Sequence, residues 1–162
     1  ELVKQGLAIE RAVHDRYHGS KRNPWNEVEC GDHYARSMAS YGVFIAACGF
    51  TYNGPDGHIG FAPKLTPENF KAAFTAAEGW GSFSQKQSGK ALSASLALKY
   101  GQLKLKELTL VPQAGSTPQK VRATLDGKPV AATVKTAAGR AAISFDQTLV
   151  VTTGQTLAVT LE

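Results

Sequence analysis

The stretch LSASLALKY, Leu92 to Tyr100, decides how the second half of this chain folds. Leu92, Ala94, Leu96, Leu98 and Tyr100 alternate with Ser93, Ser95, Ala97 and Lys99. Successive side chains of a strand point to opposite faces, so this period predicts a β-strand with one face against a core. The same pattern continues outward. Val121, Ala123 and Leu125 lead into the turn DGKP at 126–129, and Val130, Ala132 and Val134 lead away from it. Further short strands are expected around TAAGR (136–140) and TTGQ (152–155), with Ile143, Phe145, Leu157, Val159 and Leu161 facing inward. Regularly spaced short strands predict a small antiparallel β-sandwich-like region over 86–162.

Working toward the other end, the period changes. FTYNGPDGHIGFAP, Phe50 to Pro63, reads as two short strands around a Gly/Asp/Pro turn. TPENFKAAFTAAEGWG, Thr66 to Gly81, reads as a short helix with Thr66 as cap, Pro67 in its first turn and Phe70 and Phe74 on one face. Residues 2–17 place Leu2, Gly6, Ile9, Val13 and Tyr17 on one helical stripe. After the basic loop HGSKRNP, Asp32 can cap a second helix carrying Tyr34, Met38, Tyr41, Ile45 and Cys48, with Gly49 as its stop. That helix is apolar all round from Val43 onward, which predicts burial.

Composition narrows the function classes. Apolar residues make up 43% and charged residues 19%, as in an ordinary folded protein. No apolar run approaches the ~18 residues that cross a bilayer. The net charge of +5 is uneven: residues 62–162 carry twelve Lys/Arg against six Asp/Glu, and residues 1–61 carry six against seven. The basic residues are spread along strand-like alternation without interleaved aromatic groups to stack bases, so a solvated lysine face is expected and nucleic acid is not. A helix between Cys30 and Cys48 would hold them roughly 24 Å apart at ~1.5 Å per residue. That is too far for a disulfide, which predicts two buried thiols; with so few soft ligands no metal site is expected.

Chemistry concentrates in NPWNEVECGDHYARSMASYG, Asn23 to Gly42. Glu27 and Arg36 lie nine residues apart, one before Gly31 and one beyond it. A turn at Gly31 can bring a carboxylate and a guanidinium to one rim. There the carboxylate accepts O–H bonds from vicinal hydroxyls and the planar fork donates to a neighbouring oxygen. The other reading is an ion pair from Glu27 or Glu29 to Arg36 that holds the loop on the helix. Trp25 can stack on a sugar face or anchor the loop. Glu29 and Asp32, three apart at a helix start, do not flank a scissile bond as a retaining pair does.

The segment RNPWNEVECGDHYARSMASYG closely resembles a late motif of glycoside hydrolase family 116, the group of non-lysosomal glucosylceramidases and bacterial β-glucosidases. Asn23, Pro24, Asn26, Glu27, Glu29, Gly31, Tyr34 and Arg36 carry the likeness, and FTAAEGWGSFSQ (74–85) is similar to the segment that follows it in those proteins. The resemblance covers roughly residues 16–85. It implies the terminal helices of an (α/α)6 barrel over 1–85; the tail beyond Ser88 resembles the family less, and with the β region that alternation predicts at 86–162 the expected fold class is α+β. The resemblance further implies a β-glucoside substrate hydrolysed with retention and no cofactor. By the resemblance, Glu27 and Arg36 would bind sugar hydroxyls. From the residues themselves, Trp25 is a candidate stacking contact, and Trp80, whose flanking glycines allow close backbone approach, is a candidate aglycone-side or rim contact. The nucleophile and the acid/base belong to earlier family motifs that nothing here matches. Twelve helices with their loops need about 190 residues, so the chain is expected to be the C-terminal piece of a larger polypeptide. The alternative is a non-catalytic carbohydrate-binding or interaction module.

Overall fold

A computed structural model of the chain describes residues 2–16, 20 and 37–162. The chain divides into two compact units, Glu1–Ala47 and Cys48–Glu162. In the first, helices α1 (Val3–Arg16) and α2 (Ser37–Cys48) are described. An Arg11–Asp15 pair at 2.9 Å staples one turn of α1. None of the α1 residues is buried, and Leu2 and Ile9 are 75% and 67% exposed. The burial expected for α2 from Val43 onward is likewise not found. Tyr41 and Phe44 stand exposed with their rings 5.9 Å apart, and of the side chains described on α2 only Cys48 is buried.

The second unit is β throughout. Its ten strands are β1 (Thr51–Asn53), β2 (His58–Phe61), β3 (Asn69–Ala76), β4 (Gly79–Ser88), β5 (Ala91–Leu110), β6 (Val121–Leu125), β7 (Lys128–Val130), β8 (Ala132–Ala137), β9 (Arg140–Thr152) and β10 (Thr156–Leu161). The expected fold class is therefore corrected. The described residues form a large mixed ten-stranded network with two short helices, not the terminal helices of an (α/α)6 barrel with a small antiparallel appendage. Strands begin at Thr51, and β2 runs parallel to β5, while the other pairings are antiparallel.

The helix expected over 66–81 is instead the hairpin β3–β4, in register from Asn69↔Lys86 to Ala76↔Gly79. Phe70 and Phe74 are four apart, which suits a helix face, but with Ala72 and Ala76 they also form one face of a strand. Two periods fit the same residues, and the partner strand decides between them. Thr66 takes φ +40° inside a turn closed by Asn69 N–H to its carbonyl, so it is no helix cap.

β5 organises the unit. Its first half pairs with β4 and β10, and its second half with β9 and β2, so one twenty-residue strand belongs to two sheets. Leu92, Ala94, Leu96 and Leu98 face the core in the first half, and Leu103, Leu105, Leu108 and Leu110 in the second. Gly101, at φ +77°, sits between the halves. A Cβ there would run into the Glu78 carbonyl, which already accepts the Gln102 N–H at 3.0 Å. Only glycine meets both demands.

The shared core is partly aromatic. Phe61 of β2 stacks on Phe83 of β4 at 3.8 Å, and Phe74 meets Phe61 edge-on. Two hairpins use left-handed turns suited to strand twist: Asp126–Gly127 and Ala138–Gly139 all have positive φ. Gly49, also left-handed, ends α2, and the Cys48 and Gly49 carbonyls both accept the Ala62 N–H at 3.1 Å.

Two outcomes test this account. Gly127→Ala meets only the left-handed backbone cost of about 1–2 kcal/mol, since nothing lies near its missing Cβ. Gly101→Ala adds a backbone collision, so its urea midpoint should fall clearly below that of Gly127→Ala; equal midpoints would remove the pivot role. Burial pushes the Cys48 thiol up from its ordinary value of 9.0. A thiol kept neutral in the folded state but free to ionise when unfolded draws the equilibrium toward unfolding at alkaline pH. Stability should therefore drop as pH rises above about 9, and Cys48→Ala should flatten that decline in a pH series of melts.

Candidate functional site

Sheet register places two large aromatic side chains side by side at the pivot. Trp80 of β4 lies directly opposite Tyr100 of β5, and the register then shifts so that Gly81 faces Leu98. Lys99 is left as the extra residue of a β-bulge. A bulge re-aims the side chains beyond it. Leu98 is buried, whereas Tyr100, two residues later, is 66% exposed and Trp80 is 50% exposed. Glycines flank the pair: Gly79 faces Gly101 in the next register position. No side chain rises there to cover the rings.

Polar groups adjoin this platform. The Glu78 carboxylate accepts the Gln102 Nε2–H at 3.0 Å and pairs with Lys104 Nζ at 3.2 Å. Thr153 donates through both N–H and Oγ1 to the Gly101 carbonyl, at 3.1 and 3.2 Å. Glu78, Tyr100, Gln102, Thr152 and Thr153 line an open depression of about 520 Å³. The Glu78–Lys104 pair is about half exposed, and such a pair contributes little stability. Its effect is orientation: a carboxylate and an amide side chain are held beside Tyr100 in this depression, with Trp80 on the neighbouring strand. Amide, carboxylate and hydroxyl groups together can both donate to and accept from a polyol.

A second polar cluster joins β1, β2 and β5. His58 Nδ1 lies 3.1 Å from Glu107 Oε1, and His58 Nε2 lies 3.1 Å from Thr51 Oγ1. Thr109 Oγ1 also donates to Glu107 Oε1, at 3.4 Å. The two ring nitrogens of His58 thus have separate partners, the Glu107 carboxylate at Nδ1 and the Thr51 hydroxyl at Nε2. Gly60 leaves room for this contact, because a Cβ there would press on Thr51 Oγ1. The line of three side chains fastens the short β1–β2 hairpin to the long strand. Among the described residues no group of His, Cys, Asp and Glu is arranged to hold a metal ion.

Of the residues expected to bind sugar, Trp80 is described and exposed. Glu27, Arg36 and Trp25 lie outside the described residues, as does Cys30. Tyr100, Glu78 and Gln102 were not singled out by the sequence. Tyr100 belonged to the inward set by strict alternation, and this is corrected: the bulge at Lys99 reverses its face. The available signal was an aromatic residue directly before a glycine within a strand, which marks a bulge or a close backbone approach. No family model matches the chain, and no curated protein matches it either.

Proposed function

We propose that this chain is the C-terminal, sugar-handling part of a retaining β-glycosidase of the β-glucosidase or glucosylceramidase kind. Two independent features support the reading: the motif at 23–42 with Glu27 and Arg36, and the exposed Trp80–Tyr100 pair beside Glu78 and Gln102. The aromatic pair carries it. A β-glucoside presents a flat apolar C–H face ringed by equatorial hydroxyls, and an exposed aromatic face next to fixed donors and acceptors is complementary to both. Retaining hydrolysis needs a nucleophile and an acid ~5–5.5 Å apart across the bond. In this reading those groups belong to the rest of the parent polypeptide, and this chain contributes hydroxyl and ring contacts.

A second reading, a non-catalytic carbohydrate-binding module, is favoured by one observation. Trp80 and Tyr100 stand on a β unit with its own core, so they need no other domain to present them. The two readings part on Glu27. In the intact parent, Glu27→Ala should lower kcat/KM for an aryl β-glucoside by the loss of a charged acceptor, roughly 1.5–3 kcal/mol or ten- to a hundredfold. An unchanged rate would leave the module reading.

The 162-residue chain by itself should release no aryl group from an aryl β-glucoside. Turnover that disappears with Glu29→Gln or Asp32→Asn would show that the chain holds its own catalytic pair. The same chain should bind β-gluco-oligosaccharides weakly in calorimetry. Trp80→Ala should weaken that binding about tenfold, the equivalent of ~1.4 kcal/mol. Equal affinity in the variant would dismiss the aromatic platform.

A further inference from the structure

The outward face of the sheet β3–β4–β5–β10–β6 also carries the Trp80–Tyr100 pair, and two register rows further along that face its character changes. Its register builds two continuous rows. Asn69, Lys86, Ser93, Thr160 and Arg122 lie opposite one another in turn across the five strands. Lys71, Ser84, Ser95, Ala158 and Thr124 form the adjoining row. The Ser84 and Ser95 hydroxyls touch at 2.9 Å, which fixes both on this face. Lys71, Lys86, Ser84, Ser95 and Thr160 line one shallow depression of about 440 Å³. The side chains in the middle are small, so a chain-like ligand can lie across the strands.

Charge on these rows is of one sign. Lys71, Lys86 and Arg122 are exposed, none has an ion-pair partner among the described residues, and neither row contains Asp or Glu. The nearby acids are at the margins. Glu68, just before Asn69, accepts the Gln87 N–H through its carbonyl at 2.9 Å, Asp126 accepts the Thr156 N–H at 2.8 Å, and Glu162 is bonded through its backbone to Lys120. With strands ~4.8 Å apart, Lys86 and Arg122 are anchored about 14 Å from each other with Ser93 and Thr160 between them. That is a strip of hydroxyls bounded by cations.

We propose that this strip binds an acidic polysaccharide, one that carries carboxylate or sulfate groups along a hydroxylated chain. The cations answer the repeated negative charge, and the serine and threonine hydroxyls both donate to and accept from sugar hydroxyls. The two rows themselves contain no aromatic side chain for base stacking, and the aromatic pair on this face, Trp80 and Tyr100, is separated from them by the row Ser82–Ala97; the oligothymidylate and Trp80→Ala arms below test whether it takes part. The rows also lack the large apolar anchors that dominate protein interfaces. The inference does not depend on the β-glycosidase reading, which concerns other residues.

The test is affinity electrophoresis of the full chain through gels containing polygalacturonate, dextran sulfate or neutral dextran. Retardation is expected in one or both acidic gels, with the gel that retards identifying carboxylate or sulfate as the preferred group. It should weaken at least tenfold between 50 and 500 mM salt, because screening shortens the reach of exposed charges. The triple variant Lys71→Gln/Lys86→Gln/Arg122→Gln should lose at least tenfold in affinity. The charge-matched variant Lys106→Gln/Lys135→Gln/Arg140→Gln, on the other sheet, should lose less than twofold, as should Trp80→Ala. Equal losses in the two triple variants, or no retardation in either acidic gel, would overturn the proposal. So would an oligothymidylate that binds the wild type more tightly than both acidic glycans and is lost with the first triple variant. Amide NMR shifts of the wild type with oligogalacturonate or a sulfated oligosaccharide keep the question open to test if a variant fails to fold. They should move at Ser84, Ser95 and Thr160, and movement confined elsewhere refutes the site.

Discussion

A single strand that must serve two sheets sets the terms for the rest of this molecule. β5 is twenty residues long, and a strand of that length, at ~3.3 Å per residue, exceeds the width of a small core. It can stay in contact with buried partners only by changing sheets, and it does so at Gly101. There the chain takes a left-handed backbone conformation against the Glu78 carbonyl, with no space for a side chain. The loop before β10 closes on the same point, through Thr153 to the Gly101 carbonyl and Gly154 N–H to the Leu98 carbonyl.

The exposed aromatic platform is a by-product of that pivot. Turning the strand requires an extra residue at Lys99, and this residue rotates Tyr100 out of the core beside Trp80. A further register shift between Leu105 and Glu107 leaves Lys106 unmatched and restores Leu108 and Leu110 to the interior. The same shift brings Lys106 and Glu107 N–H to the Gly57 carbonyl, and Glu107 meets His58, fixing the β1–β2 hairpin. Packing and presentation therefore share one cause. The rings stand on a frame held from beneath by the Phe61–Phe83 stack and the leucines of β5. A surface carried on such a frame loses little conformational freedom when it meets a ligand.

Much of the β region could be read residue by residue. Leu92, Ala94, Leu96 and Leu98, then Ile143 and Phe145, then Leu157, Val159 and Leu161 are all buried where alternation set them. The Asp-Gly pair at 126–127 takes the left-handed turn its chemistry favours, and Gly49 ends α2 in the same conformation. Two of the differences lie where two periods coincide or where one is interrupted. Phe70 and Phe74 satisfy a helix and a strand equally. Tyr100 satisfies the alternation but follows a bulge. In both places the deciding hydrogen bonds come from residues distant along the chain or from an irregular pairing, and a local window contains neither.

The amino-acid sequence alone determined the apolar faces of β5 as far as Leu98, of β9 at Ile143 and Phe145 and of β10, the turn at Asp126–Gly127, and that Trp80 lies between two glycines. Those properties are local: they follow from side-chain period and from the backbone freedom of individual residues. Only tertiary structure decided that 69–88 is a hairpin, that β5 is shared, and that Trp80 has Tyr100 as its neighbour. It also gathered Lys71, Lys86 and Arg122 onto one face, although Arg122 is dozens of residues from the other two. Register between distant strands sets those positions. It is fixed by the joint burial of many side chains at once, so no single stretch of the chain contains it.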